Sequence, residues 1–363
     1  MEIVKKLFLI LFLGIIIGGC SNEETGEYLI NQNIIKFNVL TTTRATLINS
    51  SNLTNIEFVV WALTKDSTFF MGEPVENSSA DNLGGIRIKY DNLMWNYADT
   101  NDIHYWPTES LDFYAIGPTP STMTYSWNIT RDKKEISYIT LDEYGDYSGT
   151  GLTNVDAMYA IKKDQTSNSG KVQLNFNHIL SNIVFKATTE NANLKVYIES
   201  IKLCNIITSG VFTIPNSKPK NSDWKLNSLL NSSLTLIKDT NICVTNDTIL
   251  PITIESPTMI IPQTLTKWDV TNQETKTIAQ ANIAKQSYLE VSCKIKQNGV
   301  YLYGSDTEFS KLYIPFGVKF EPNNRYIYTI HFGGGYDENG NKIMNFIQFN
   351  PTVEEWNEIS YDL

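Results

Sequence analysis

The residue best placed to do covalent chemistry is Cys20, which ends the string Ile17-Gly18-Gly19-Cys20. Small residues ahead of a thiol let a peptidase approach the bond on its amino side. The thiol itself is the group that takes diacylglycerol, and the string has the form of a lipobox. No other reactive side chains gather into such a pattern. The histidines are His104, His178 and His331. His178 falls on the apolar face of an alternating segment, where a hydrogen-bonded core histidine is the expected role. His331 shares a mixed face with Ile327 and Thr329 and suggests no ligand. HExxH, paired CxxC, GxSxG and phosphate-cradling glycine motifs are absent from the sequence. Gly333-Gly334-Gly335 leads toward a hairpin rather than a helix N-terminus, so anion-binding logic fails there. Asp337-Glu338-Asn339-Gly340-Asn341 lacks the EF-hand spacing and its terminal Glu, and reads as a hairpin tip. The acidic pairs Asp142-Glu143 and Glu354-Glu355 read as solvated turns. Trp61, Trp106, Trp127 and Trp356 read as core fillers before sugar-stacking platforms. Nothing here points to an enzyme, and no cofactor or metal is called for.

The segment that would deliver Cys20 is short. Lys5 and Lys6 form a positive start, and Leu7 to Ile17 form an apolar run of about eleven residues. A bilayer span needs roughly 20, so the layout is that of a secretory signal over residues 1–19. Each buried acyl CH₂ adds about 0.8 kcal/mol, so two or three chains on Cys20 hold the protein at a membrane. Ser21-Asn22-Glu23-Glu24 is polar and acidic, as a solvated tether should be. Residues 20–363 suffice for two domains of ordinary size. With 42% hydrophobic and 19% charged residues, the chain can bury a core. A net charge of −10 argues against nucleic acid and anionic lipid headgroups as partners. Cys204, Cys243 and Cys293 lack metal-type spacing, and an odd number leaves at most one disulfide.

Nearly every periodic segment has period two, the mark of strands with one apolar face. Val172-Leu174-Phe176-His178 alternates with Gln173, Asn175 and Asn177, and Ile35-Phe37-Val39, Ile183-Phe185-Ala187 and Tyr326-Tyr328-Ile330-Phe332 behave alike. The alternation Val196, Ile198, then Ile201, Leu203 slips near Ser200, as a β-bulge does. Asn298-Gly299 and Asn339-Gly340 read as tight hairpin turns. Leu226 to Leu234 is the best candidate for a short helix. These features predict an all-β chain of packed sandwiches. Asp164 to Gly170 is either a linker or a long hairpin loop, and a change of domain is placed near residue 170. Pro215 to Asp223 reads as a surface loop.

Several strings together resemble the fimbrillin-like (Mfa-like) family of Bacteroidetes, subunits of type V pili. They are Phe58-Val59-Val60-Trp61-Ala62, His104-Tyr105-Trp106-Pro107, Leu111-Asp112-Phe113-Tyr114-Ala115 and Asp156-Ala157-Met158-Tyr159-Ala160. Leu174 to Ser181, Ile260-Ile261-Pro262-Gln263, Tyr313-Ile314-Pro315-Phe316 and Tyr326 to Asp337 continue the series over nearly the whole mature chain. The acidic tract after Cys20 likewise resembles the export tag of Bacteroidetes surface lipoproteins. The resemblance implies two tandem β-sandwich domains, residues 45–170 and 171–363, the first transthyretin-like. It also implies export as an outer-membrane lipoprotein, and a trypsin-like protease that cuts between Arg44 and Ala45 in Thr42-Thr43-Arg44-Ala45-Thr46. Residues 20–44 would then be a lipidated leader whose strand, Asn33 to Leu40 with Ile35, Phe37 and Val39 on its apolar face, is removable. Burying three such side chains contributes roughly 5 to 9 kcal/mol, from about 1.5–3 kcal/mol each. Loss of the strand exposes unpaired backbone groups and an apolar groove, which a neighbour's strand can fill. The same groove and donor on each copy give head-to-tail contact with other fimbrial subunits. The donor candidate is Lys342 to Phe349, with Ile343, Phe346, Ile347 and Phe349. A Trp356 segment pinned to its own domain suits a tip or accessory subunit instead. The competing function is a solitary surface lipoprotein that binds a glycan or a host protein.

Overall fold

Alternating apolar residues bury one side chain in two by lying in sheets, and most of the described elements are strands. The computed structural model describes residues 33–41, 53–74, 84–119, 125–140, 155–189, 191–228, 231–252, 258–343 and 348–355. In the first part of the chain the strands are β1 (Phe37–Thr41), β2 (Glu57–Leu63), β3 (Phe69–Met71), β4 (Ile86–Asp91), β5 (Met94–Tyr97), β6 (Leu111–Gly117), β7 (Tyr125–Ile129), β8 (Lys134–Ile139), β9 (Met158–Gln165) and β10 (Val172–His178). One sheet runs β3-β2-β4-β5-β1-β10-β9-β6, and β6 pairs again with β2. The sheet therefore closes into a ring, with β3 beside β4 on one edge of β2. Closure removes the free edges that an open sheet would leave.

The inside of the ring is a core of Ile35, Phe37, Val39, Phe58, Val60, Val172, Leu174 and Phe176 with their neighbours. Strand β2 is buried on both faces. Phe58, Val60 and Ala62 point into the ring, while Val59, Trp61 and Leu63 join a second core outside it. That second core lies against a sheet of order β14-β13-β8-β7, where β13 is Ser209–Thr213 and β14 is Trp224–Leu226. A hairpin from the second half of the chain thus completes the layer that covers the first half, bringing Phe212 and Trp224 onto Trp61, Trp127 and Tyr138.

The remaining strands form a sandwich. One sheet holds β11 (Ser181–Thr189), β17 (Leu250–Pro251), β18 (Thr258–Ile260), β22 (Asn324–Phe332) and β23 (Gln348–Glu355). The facing sheet holds β12 (Leu194–Ile207), β15 (Asn231–Ile237), β16 (Ile242–Val244), β19 (Tyr288–Gln297), β20 (Val300–Tyr303) and β21 (Ser310–Pro315). Phe185, Tyr328, Ile330 and Phe332 meet Val196, Leu203, Val291 and Ile295 between them. The slip in β12 is a register shift between Ile198 and Ser200. The β19–β20 turn holds Asn298 at φ 49° and Gly299 at φ 84°, the left-handed pair that a two-residue hairpin requires. A short helix, α1 (Ile278–Ile283), begins at Thr277, whose side chain accepts from the Gln280 N–H. The described residues of Leu226 to Leu234 form no helix: β14 ends at Leu226 and β15 begins at Asn231, and Leu234 is buried as a strand residue in the sandwich core.

Asp164 to Gly170 forms the bend of a hairpin, since β10 pairs with β9 as well as with β1. The change of sheet falls on Ile179 and Leu180, between β10 and β11. Both are fully buried in the core shared by the two parts. Clamps surround this junction: Trp224 Nε1 donates to the Ile179 carbonyl at 3.1 Å, Ser181 Oγ to the Glu321 carbonyl at 2.7 Å, and Asn323 N to the Leu180 carbonyl at 2.9 Å. A chain of residues 171–363 alone is therefore expected to misfold, with β10, β13 and β14 stripped of their sheets. Soluble expression with the amide dispersion of a folded protein would refute this.

Candidate functional site

The strand expected to be removable occupies the middle of the ring. Ile35, Phe37 and Val39 are all buried, at most 6% exposed, while Lys36 and Asn38 between them face outward. Phe37 sits among three rings: the centroids of Tyr97 and Phe113 are 6.0 Å away and that of Phe58 is 6.5 Å. Edge-on pairs at such distances add about 0.5–1.5 kcal/mol each beyond the area they bury. Ahead of β1, Ile35 N donates to the His104 carbonyl at 2.9 Å, and Trp106 N donates to the Asn33 carbonyl at 2.8 Å. Burial pushes the Tyr97 phenol above its ordinary range, so it stays protonated and donates to the Ile35 carbonyl at 3.1 Å.

The two flanks of β1 are unequal. β10 runs parallel to it through five register pairs, Phe37↔Val172 to Thr41↔Phe176. β5 meets it antiparallel at the single pair Phe37↔Trp95. Val172 N donates to the Lys36 carbonyl at 2.8 Å. In a parallel ladder this turns the backbone groups of Lys36, Asn38 and Leu40 toward β10, and those of Phe37 and Val39 toward β5. On the outer surface Asn38 Nδ2 donates to Gln173 Oε1 at 2.8 Å. Taking β1 away would break the ring at one place and leave a slot floored by Phe58, Tyr97 and Phe113.

A profile of fimbrillin-like proteins matches residues 43–356 of this sequence. The chain belongs to the fimbrillin-like family. Among solved structures it is similar to a fimbrial protein from Bacteroides vulgatus, with 14% identity, 89% of this chain and 99% of the other covered, and a TM-score of 0.57. A cell adhesion protein from Bacteroides uniformis matches at 12% identity over 89% and 99% of the two chains, with a TM-score of 0.47. The tip fimbrial protein Mfa3 from Porphyromonas gingivalis matches at 10% identity over 89% and 99%, with a TM-score of 0.40. No curated protein sequence matches the chain.

In this fimbrillin-like chain Cys20, Arg44, Ala45, Phe346 and Ile347 lie outside the described residues. The described strand nearest the C-terminus is β23, Gln348–Glu355, paired antiparallel with β22 from His331↔Gln348 to Asn324↔Glu355. Residues 335–343 form a compact turn. Gly340 N donates to the Asp337 carbonyl at 3.0 Å, Ile343 N donates to the Gly335 carbonyl at 2.8 Å, and Ile343 packs on the second sandwich's core. Asp337 Oδ1 accepts from the N–H groups of Asn339 and Asn341, so its carboxylate serves the turn. Gly335 belongs to close packing, because a Cβ there would lie 2.2 Å from Leu312 Cδ1. Cys204, Cys243 and Cys293 are free thiols, and burial pushes those of Cys204 and Cys293 up to about 12. Sequence reasoning missed the slot's walls. Phe58 and Phe113 were within reach as members of the apolar strings, whereas nothing local marks Tyr97 or the His104–Trp106 loop as neighbours of residue 37.

Proposed function

We propose that this chain is a structural and adhesive subunit of a cell-surface fimbria, exported as a lipoprotein through Cys20 and assembled by strand exchange. A trypsin-like protease cuts after Arg44, β1 leaves with the lipidated leader, and a strand from another subunit fills the slot. The observation that carries this reading is that β1 closes the ring with its apolar side chains inside. The precursor is then complete and monomeric, and the cut chain is incomplete until a strand arrives. Brief trypsin treatment of the purified exported chain should cut after Arg44 and give oligomers that survive mild heating in detergent. Arg44→Ala should stay monomeric under the same treatment. Equal oligomer yields from both would defeat the proposal.

One observation favours a second reading. β23 is already paired along eight positions with its own β22, and a subunit that keeps this strand at home suits a tip or accessory place. The same pinning fits a solitary surface lipoprotein that binds a glycan or a host protein. A stable monomer after complete cleavage, with affinity for carbohydrate, would bring that reading forward.

A further inference from the structure

The net charge is −10, yet the outer face of the six-stranded sheet of the sandwich gathers lysine. In β12 and β19 the residues Val196, Ile198, Cys293 and Ile295 belong to the core, so Lys195, Tyr197, Lys294 and Lys296 point outward. The register sets Lys195 opposite Lys296 and Tyr197 opposite Lys294. Facing residues stand about 4.5–5.5 Å apart at Cβ, and Lys294 and Lys296 lie about 7 Å apart along one strand. Three ammonium groups therefore share a patch two strands wide. Like charges directly opposite one another destabilise a sheet. Lysines on an outermost strand guard it against edge pairing. That use does not explain these, because β12 and β19 are paired on both sides.

The groups that hold these lysines leave their charge in place. Lys296 Nζ lies 4.1 Å from the centroid of the Tyr301 ring and 5.8 Å from that of Tyr197. Lys294 Nζ lies 4.3 Å from the Phe309 centroid and donates to the Asp306 carbonyl at 2.6 Å. A ring attracts a cation through its quadrupole and neutralises none of it. None of the ion pairs among the described residues includes Lys195, Lys294 or Lys296. Nearby carboxylates are engaged. Glu290 pairs with Lys311 at 3.0 Å, and Glu199 accepts from Ser292 Oγ at 2.6 Å. Asp306 accepts from the Tyr301 hydroxyl at 2.9 Å and offsets part of the charge on Lys296. Three cations against that one acid leave the patch positive.

We infer that this face binds an acidic polysaccharide, with Lys195, Lys294 and Lys296 meeting carboxylates on its sugars and Tyr197 and Tyr301 packing against the sugar rings. The inference rests on the adhesive part of the reading above and needs no strand exchange. Charge complementarity selects an anion, and the way the charge is spread selects this one. A nucleic acid or an anionic lipid surface presents dense charge over a wide area, which the acidic remainder of the chain repels. A polysaccharide with its carboxylates spaced along a chain touches the patch locally, and charges farther than about 8 Å away are screened at physiological salt. An open sheet face lets the polymer lie across it, so a long chain gains several contacts where a single sugar gains one.

The test measures binding of polygalacturonate to the purified exported chain, with dextran as the uncharged counterpart. Polygalacturonate should bind, more weakly as salt is raised, and dextran should not. Lys294→Gln with Lys296→Gln should lower the affinity by at least about tenfold, the factor that one hydrogen bond to a charged group contributes. Lys195→Gln leaves the ring contacts of Lys296 in place and should weaken binding too. Lys162→Gln with Lys163→Gln, on β9, should leave it unchanged. The β19 double variant should melt within about 2 °C of the parent, as surface substitutions do, so that lost binding is not lost folding. Equal binding of dextran, or parental affinity in both the β19 variant and Lys195→Gln, overturns the inference. Equal binding of polyglutamate or duplex DNA through these lysines overturns the sugar as the ligand. A parent chain that forms oligomers after trypsin but ignores polygalacturonate overturns this inference and leaves the fimbrial reading standing. One that binds polygalacturonate but never forms oligomers supports this inference and defeats the exchange reading.

Discussion

Phe37→Ala is expected to destabilise the ring by about 3–5 kcal/mol, the usual cost of truncating a buried phenylalanine. The site favours the upper part of that range, because three aromatic rings converge on Phe37 and none of their strands can close over the gap. At roughly 2–4 °C per kcal/mol for a unit of this size, the melting temperature should fall by about 10 °C. The loss should be concentrated in β1, whose hold on β5 is a single pair. Amide exchange should therefore quicken in β10 before it does in the second sandwich. Asn38→Ala removes only an exposed hydrogen bond to Gln173 and should change stability by about 0.5 kcal/mol or less. If β1 is what keeps the precursor monomeric, Phe37→Ala should also oligomerise slowly without protease while Asn38→Ala does not. Thermal melts and light scattering on the uncut chains decide both points. A Phe37→Ala protein as stable as its parent would mean that the slot's contents do not matter to the ring.

The strands themselves were legible because alternation is a local signal. Ile35-Phe37-Val39 and Val172-Leu174-Phe176 declare their buried faces without reference to anything distant, and the slip at Ser200 follows from counting alone. The Asn298-Gly299 turn is legible for a different reason, since its backbone needs φ values that few residue pairs accept. What stayed hidden depends on contacts far apart in sequence. Closure of the ring joins Val59 to Ile116, and no residue in either strand names the other. The β13–β14 hairpin pairs Ser209–Thr213 with β8, so a division of the chain by sequence position could not anticipate it. Pro351 lies within β23, which pairs with β22 at the edge of its sheet, and an edge accepts a proline. His178 was legible as a core histidine, yet its partner was not. Nothing in the string Asp156-Ala157-Met158 says that its acid will lie 2.5 Å from the His178 Nδ1.

That pair gives the second large effect. His178 and Asp156 are both buried, and beside them burial, then the Asp156 carboxylate, push the Tyr125 phenol above its ordinary range. Removing one member of a buried polar pair leaves the other without its counterpart, at a cost of about 3 kcal/mol. That is where the ranges for a lost neutral hydrogen bond and a broken buried ion pair meet. Asp156→Leu and His178→Leu should each show it in denaturant melts. The double variant should be less destabilised than the sum of the two, because apolar groups of similar size in both places leave no polar atom of the pair exposed to the core. The position matters as much as the magnitude. His178 ends β10, its N–H lies 3.4 Å from Asn323 Oδ1, and three residues later, at Ser181, the chain enters β11. Loosening the pair should therefore lower the stability of both parts together, as one cooperative transition. A double variant as unstable as the two singles combined would show that the acid and the imidazole act separately. Two separated transitions in either single variant would show that the junction around Ile179 and Leu180 does not couple the ring to the sandwich.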